Sequence, residues 1–427
     1  MIGNGGIILD PVKIFKEKIG GNFSRKALKS PQAYRLAKLM FVARNPYPFR
    51  GIKELTALGL DQTAKAYDDE QKVAFTTAFF PEEIVHALGC VPFAPEVAAA
   101  TATSLNLSQE LLKNSEKEGM SRDACSFHRV AAAGGPRDYF PIPDFFLASS
   151  HLCDGAPQLF RYLSQKYDRP YYFLDVPAQK DAQAVEYVAQ QLEELIKEVT
   201  KNLNISLDEE RLKEVIENSN RAREAQLYLN NIRKKYPGIL PGAQAINLVY
   251  LHFLCQGLEK TPDIYNILAE EIENKASKNE HKTDAPRILW SHLRPFYEND
   301  IFTILEQELE VNIVFEEMNQ VYWPPLDPAK PYESLARKII NNPLVGPLDY
   351  RMDYLKQIID DYSVDGIIHF SHWGCRHAVG AVPLLKQKAK DLNVAFLNLD
   401  ADCVDRQNYF SGQVRTRLES FIEMLSF

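Results

Sequence analysis

Six cysteines are the residues of this 427-residue chain best suited to bind a metal. No two of them form a CxxC pair, which argues against a zinc knuckle, and they are too sparse for a disulfide scaffold. Cysteines from separate loops can bind an iron–sulfur cluster, whereas a free cysteine is also a common small apolar core residue. Both interpretations apply to Cys90, Cys125, Cys153, Cys255, Cys375 and Cys403.

The segments that carry these cysteines alternate between strand and helix signals. Short apolar runs bounded by Pro, Gly or polar residues predict buried strands, and amphipathic stretches between them predict helices. This alternation predicts an α/β fold with two Rossmann-like, doubly wound parallel sheets. The predicted strands are 91–93, 144–149, 171–176, 287–292, 311–315, 366–370 and 394–399.

Four regions are predicted along the chain. An N-terminal helical region covers residues 1–75, and a first Rossmann-like domain covers 76–200. A charged, helical connecting region covers 201–280 and ends in a polar linker at 279–284, and a second Rossmann-like domain covers 281–427. The two α/β regions echo each other weakly, because each places a cysteine after a corresponding strand.

Three of the cysteines lie at or just beyond the ends of predicted strands. Ligands of open α/β sheets bind beyond the carboxyl ends of the strands, where Cys153, Cys375 and Cys403 are expected. Cys153 and Cys375 also precede helices, whose N-terminal dipole stabilises a thiolate. Asp154 is predicted to cap the helix that begins near Ala156.

Composition excludes some functions. The 49 basic and 57 acidic residues give a net charge of −8, which argues against nucleic acid as the main partner. The sequence shows no signal peptide and no run of about 18 apolar residues, so we expect a cytoplasmic protein with reduced thiols.

Several motifs share an order with a known family. They are the runs at 80–92, 123–129, 150–155, 372–376, 399–405 and 413–417. Together they resemble the 2-hydroxyacyl-CoA dehydratase and benzoyl-CoA reductase family across most of residues 76–427. The resemblance implies that Cys125, Cys153 and Cys375 hold one [4Fe–4S] cluster.

Additional cysteines in the motif loops set this chain apart from the dehydratase pattern. Cys90 and Cys403 bring the total toward the six thiolates that two cubanes would need. In having six cysteines, the chain resembles the double-cubane branch of the family. The [8Fe–9S] cofactor of that branch joins two [4Fe–4S] units through one sulfide. This resemblance implies all six cysteines as ligands, and the count alone includes Cys255, which otherwise looks like a buried core residue.

The same resemblance implies a reductase of a small, acetylene-like molecule. Electrons would come from a separate dimeric iron–sulfur activator that hydrolyses ATP, since this chain has no GxxxxGK[ST] loop of its own. This interpretation predicts a homodimer. The alternatives are a dehydratase subunit, which is a lyase with one cluster in a heterodimer that binds acyl-CoA, a non-catalytic electron carrier, and an α/β protein with structural thiols.

Seven further residues are predicted around the cluster. Histidines near the cysteines could deliver protons, although a plain hydrogen bond to a carbonyl or sulfide is an equally good interpretation. Basic side chains could offset the negative charge of a thiolate-rich cluster, and a tryptophan could shield it. The proton-delivery residues are His128, His372 and His377, and the environment residues are His151, Arg129, Arg376 and Trp373.

Overall fold

A computed structural model describes residues 29–44, 47–137, 139–278 and 284–425. The first 28 residues of the predicted N-terminal region lie outside these ranges, as does most of the predicted linker at 279–284. No helix in the described ranges is both long enough and apolar enough to cross a membrane.

Two four-stranded parallel sheets form the framework, as the sequence predicts. Their strand orders are β2-β1-β3-β4 and β6-β5-β7-β8, so the second sheet repeats the topology of the first. The repeat gives the weak sequence echo a structural counterpart. The strands are β1 Val73–Thr76, β2 Val91–Phe93, β3 Phe145–Ser149, β4 Tyr171–Leu174, β5 Arg287–Ser291, β6 Asn312–Glu316, β7 Gly366–His372 and β8 Ala395–Ala401.

Burial on both faces explains why the central strands β3 and β7 are apolar runs. All five residues of β3 and all seven of β7 are buried. The observed strand ends lie within two residues of the predicted ends, and β2 has the predicted bounds. β1 was missing from the prediction because its four residues are too few to show a periodic pattern, although all four are buried.

Helices surround both sheets and fill the connecting region. Asp208 caps the longest of them by accepting hydrogen bonds from the backbone N–H groups of Glu210 and Arg211. The helices are Pro31–Arg44, Arg50–Ala66, Glu82–Ala87, Pro95–Ser104, Ser108–Lys117, Ser126–Gly134, Ala156–Tyr167, Ala182–Leu203, Glu209–Lys235, Gly242–Ala245, Val249–Leu254, Thr261–Ala276, Ile301–Thr303, Pro331–Asn341, Leu348–Tyr362, Arg376–Asp391 and Ser411–Leu425.

The N-terminal helix Arg50–Ala66 packs against the connecting region. Gly51 allows the closest approach, since a Cβ there would lie 2.3 Å from Cγ of Leu268. The Glu271 carboxylate accepts hydrogen bonds from the backbone N–H groups of Arg50 and Gly51 at 2.7 and 3.0 Å. These contacts fix the start of the helix on the helical core.

Buried ion pairs connect the three packed regions. Lys338 of the second α/β region donates to Glu83 of the first at 2.6 Å. Arg233 of the connecting region makes two 2.9 Å hydrogen bonds to Glu316 at the end of β6. Removing one partner of such a pair leaves an uncompensated buried charge, so these pairs strongly favour one relative placement of the regions.

Candidate metal centre

The loops after four central strands bend into one cavity of about 1040 Å³. In each loop one residue that lines the cavity has left-handed backbone geometry. These residues are Phe79 after β1 (φ 64°), Leu152 after β3 (67°), His292 after β5 (71°) and Gly374 after β7 (75°). The conformation is costly for a non-glycine side chain, and such strain concentrates at functional sites.

Three cysteine side chains line this cavity: Cys125, Cys153 and Cys375. Cys125 is the N-cap of helix Ser126–Gly134, and Cys375 is the N-cap of helix Arg376–Asp391. Cys153 lies in the loop that leads into helix Ala156–Tyr167. The helix N-cap is Gly155, so the predicted cap at Asp154 is wrong; the Asp154 carboxylate pairs with Arg376 instead.

The three cavity thiols share one electrostatic environment. Burial raises the pKa of Cys153 to about 11 and also raises the pKa values of Cys125 and Cys375. Backbone N–H groups two and three residues further along the chain counteract this rise at each thiol, because they favour the thiolate. These amides belong to Phe127 and His128, to Gly155 and Ala156, and to His377 and Ala378.

The other three cysteines lie away from the cavity surface. Cys90 precedes β2 and therefore lies at the amino edge of the first sheet, opposite the cavity. Burial raises its pKa to about 12, and no backbone amide counteracts this. Cys255 is fully buried in the core of the helical region. Cys403 follows β8 and is fully buried, which raises its pKa; the charges of Asp402, Cys125 and Cys375 raise this pKa further.

Each cavity thiol has an imidazole beside it. The distances from Sγ to Nε2 are 3.3 Å for Cys125 and His372, 3.9 Å for Cys153 and His128, and 3.8 Å for Cys375 and His292. His128 and His372 were predicted from the sequence. His292 was missed, although its place directly after an apolar strand run was a usable signal.

The hydrogen bonds of His372 indicate its tautomer. The backbone N–H of Cys403 donates to Nδ1 at 3.1 Å, so the ring proton is on Nε2 and faces the sulfur of Cys125. The neighbouring loop is fixed by Asp402, which accepts from Ser126 Oγ at 2.6 Å. The His372 side chain therefore links Cys403, in the β8 loop, to the thiol of Cys125.

Burial keeps the site histidines neutral near pH 7. It lowers the pKa of His128 to about 4 and also lowers the pKa values of His372 and His377. A neutral imidazole still has one N–H, so these rings serve as single hydrogen-bond donors. His377 lines the cavity with the other two.

The structure does not bring all the predicted environment residues onto the cavity. The Arg129 guanidinium forms an ion pair with Glu116 at 2.5 Å, and His151 Nε2 bonds the backbone oxygen of Phe79 at 3.1 Å. Trp373 is 45% exposed and donates its indole N–H to Asp400. Arg376 does line the cavity.

The buried cation at the cavity is Arg351, which has no motif that would reveal it in the sequence. It donates to both carboxylate oxygens of Glu317, at 2.6 and 2.9 Å, and its charge lowers the pKa of Cys375. Glu317 also accepts from Ser291 Oγ and from the backbone N–H of His292. The network holds the β5 loop and fixes the guanidinium whose charge lowers the pKa of Cys375.

The donor set suits a polynuclear cluster better than one ion. All six cysteines are free of disulfides. Among the described residues, no three His, Cys, Asp or Glu side chains are grouped closely enough to hold a single metal ion. Three thiols face one cavity from separate loops, a spread that suits an iron–sulfur cluster, although three thiols would leave one iron of a four-iron cluster without a protein thiolate.

Comparisons with known proteins identify the family. Residues 77–425 match the model of the 2-hydroxyglutaryl-CoA dehydratase D-component. The chain is 23% identical to the (R)-phenyllactyl-CoA dehydratase alpha subunit of Clostridium sporogenes, over 88% of this chain and 94% of that one. It is 22% identical to a benzoyl-CoA reductase subunit of Thauera aromatica, over 87% and 93%. It is 21% identical to the lactoyl-CoA dehydratase alpha subunit of Anaerotignum propionicum, over 83% and 90%. The resemblance predicted from the motifs is confirmed, and the chain belongs to the 2-hydroxyglutaryl-CoA dehydratase D-component family.

Proposed function

We propose that this chain is the subunit of a CoA-thioester-converting enzyme that holds one [4Fe–4S] cluster through Cys125, Cys153 and Cys375. The observation that carries the proposal is the shared geometry of these thiols. Each lies at or just before a helix N-terminus, interacts with two backbone amides and faces the same cavity. Cys90 and Cys255 have none of these three features.

A bound cluster would supply one-electron chemistry and an iron atom without a protein ligand. The residues of the chain have supporting tasks. Arg351 would offset the negative charge near Cys375, and His372 would donate its Nε2 proton toward the sulfur of Cys125. The rest of the cavity would bind and orient the substrate.

Cavity size supports a large substrate. A volume of about 1040 Å³ matches sites that enclose drug-sized ligands. The relatives reported above are named for phenyllactyl-CoA, benzoyl-CoA and lactoyl-CoA. A CoA thioester is therefore the better proposal than an acetylene-sized molecule, and dehydration or reduction are the reactions that these names suggest.

Partner proteins follow from the same reasoning. Two of these relatives are named alpha subunits of dehydratases and the third is named as one subunit of a reductase, which supports a second subunit for this chain. Low-potential electrons would come from a separate ATP-hydrolysing iron–sulfur activator, because the sequence has no phosphate-binding loop.

A double-cubane reductase is the second candidate, favoured by one observation. Cys403 is a fourth thiol, buried after β8 and within electrostatic range of Cys125 and Cys375, that the single-cluster proposal does not use. An [8Fe–9S] cofactor needs six thiolates, and the placement of Cys90 and Cys255 counts against supplying them at this cavity. This candidate keeps the predicted homodimer and acetylene-like substrate.

Iron and acid-labile sulfide analysis after anaerobic purification tests both candidates. About four irons per chain supports the single cluster, about eight supports the double cubane, and none contradicts both. Cys125→Ser, Cys153→Ser and Cys375→Ser should each lose most of the iron. Cys255→Ala is the matched control, and a large loss of iron in that variant would contradict the single-cluster proposal.

A further inference from the structure

A second cavity, of about 260 Å³, lies beside the thiol-lined cavity and has no part in the proposed function. Three helices, Pro31–Arg44, Arg50–Ala66 and Pro95–Ser104, bound it together with the edge strand β2. We call it the second chamber and define it by six of the residues that line it: Tyr34, Gln62, Tyr67, Phe93, Tyr139 and Phe140.

The second chamber shares one boundary with the thiol-lined cavity. Gly59, Val97, Thr101 and Tyr250 line both cavities, whereas none of the three cavity thiols lines the second chamber. At this boundary a Cβ on Gly59 would lie 3.5 Å from the Tyr250 ring. A single-ring ligand in the second chamber would therefore contact this boundary and none of the thiols.

The walls of the second chamber are aromatic and uncharged. The described residues that line it include no Asp, Glu, Lys, Arg or His. Tyr34 and Tyr67 stack with ring centroids 5.5 Å apart, and the rings of Phe93 and Phe140 pack at 5.7 Å. Burial raises the pKa values of both tyrosines, so their hydroxyl groups stay neutral. A charged ligand would lose its hydration here without gaining an ionic partner, whereas an aromatic ring would pack against other rings.

One polar side chain on the wall is available to a ligand. Gln62 is only 6% exposed and lines the second chamber, and its side-chain amide makes no hydrogen bond to any described residue. Buried polar groups are nearly always hydrogen-bonded, and an amide offers both a donor and an acceptor. Gln62 is therefore suited to bind a ligand that carries one hydroxyl or amide group.

The volume of the second chamber limits the size of the ligand. An apolar cavity of roughly 150 Å³ holds benzene. A chamber of about 260 Å³ therefore has room for a substituted single ring and not for a nucleotide-sized molecule such as CoA.

We propose that the second chamber binds a small, neutral aromatic molecule with one hydrogen-bonding group, such as a phenol, and that Gln62 is its polar partner. The inference goes beyond the proposed function and does not depend on it. It concerns a different cavity and involves neither the thiols nor a thioester.

Calorimetric titration of the anaerobically purified full-length protein tests the inference with three probes of one shape. They are 4-methylphenol, toluene, which lacks the hydroxyl group, and 4-methylbenzoate, which is charged. We expect 4-methylphenol to bind at one site. Toluene should bind about fivefold more weakly because it makes no hydrogen bond, and 4-methylbenzoate at least about tenfold more weakly.

Two variants locate the binding site. Ala37→Phe should fill the second chamber and abolish 4-methylphenol binding, whereas Ala43→Phe, at an exposed position of the same helix outside the chamber lining, is the matched control. Gln62→Leu should leave 4-methylphenol and toluene with equal affinities, which decides the question if circular dichroism shows that Ala37→Phe is unfolded.

Three results would overturn the inference. They are no binding of 4-methylphenol to the parent protein, unchanged binding in a folded Ala37→Phe, and an unchanged preference for 4-methylphenol over toluene in Gln62→Leu. The second result would place the probe in the thiol-lined cavity. Each leaves the proposed function untouched, because iron content is measured separately.

Discussion

Gly374 packs directly against the backbone of Cys125. A Cβ on Gly374 would lie 2.7 Å from both the Cα and the N atom of Cys125, closer than any real contact allows. Gly374 also has a φ of 75°, which glycine alone adopts at low cost. The loop after β7 and the start of helix Ser126–Gly134 therefore depend on each other, and two thiols are positioned together.

Gly374→Ala should separate these two thiols. The backbone at Gly374 or Cys125 would have to move. We therefore expect a loss of most of the bound iron and a decrease in stability of about 1–3 kcal/mol. Iron per chain and thermal denaturation measure the two effects. Gly380→Ala is the control, because nothing lies within 4 Å of a Cβ at that helical position. Full iron content in Gly374→Ala would show that the contact does not position the site.

Arg351→Met should destabilise the protein strongly. Burial alone would raise the pKa of Glu317, but Arg351, aided by Ser291, outweighs burial and lowers it to about 2. The pair therefore stabilises the fold above about pH 4.5, and this contribution is lost as the pH falls toward 2. Removing Arg351 leaves a buried carboxylate unpaired, at a cost of about 3–5 kcal/mol at pH 7.

Thermal denaturation of Arg351→Met and of the double variant with Glu317→Gln measures this cost. The double variant should be more stable than Arg351→Met, because no buried charge remains. If the two variants have the same melting temperature, the broken ion pair is not the cause of the lost stability.

Glu96 should make the protein less stable at alkaline pH. Burial raises its pKa to about 7, and Oε2 has no hydrogen-bond partner in the described structure. The folded state thus binds a proton that the unfolded state releases near pH 4.5. This stabilisation is complete below pH 4.5 and is lost as the pH rises through 7.

Glu96→Gln should remove that dependence. We expect it to be more stable than the parent protein at pH 8, by about 2 kcal/mol, and similar to it at pH 4. Denaturation at both pH values measures the difference, with the exposed Glu194→Gln as control. The same difference at both pH values would contradict the assignment of a buried, protonated carboxyl group.

His372→Leu should make the cluster harder to reduce. The Nε2 proton faces Cys125 Sγ at 3.3 Å, and a hydrogen bond to a ligand sulfur stabilises the reduced, more negative cluster. We expect a more negative reduction potential in a redox titration followed by electron paramagnetic resonance. His372→Gln retains a donor and should fall between the two proteins, whereas an unchanged potential in His372→Leu would remove this role.

Local sequence patterns predicted the sheets and part of the site. Cys153 and Cys375 were found because they follow buried apolar strands, a signal that does not depend on the rest of the fold. Cys125 has no strand before it and was found only through its motif. Arg351 and Glu96 reach the cavity from helices whose own sequences carry no sign of it, since only tertiary packing determines which helix face meets the cavity.

The cysteine count and the cysteine positions point to different ligand sets. Six thiols suggested six ligands, but the count contains no information about which end of a strand a residue occupies. Cys90 precedes its strand and Cys153 follows one, so the two face opposite edges of one parallel sheet. The positions therefore support the three-thiol proposal more than the six-thiol interpretation, since a buried cysteine is also a common core residue.

The division of the thiols between the two sheets also sets an order of events during synthesis. Cys125 and Cys153 leave the ribosome early, whereas Cys375 lies in the loop after β7, near the end of the chain. A nascent chain would carry two unshielded thiols, and no complete ligand set, for most of its translation. On the single-cluster proposal, cluster insertion would therefore be a late step, and we expect a chain truncated before β7 to remain colourless.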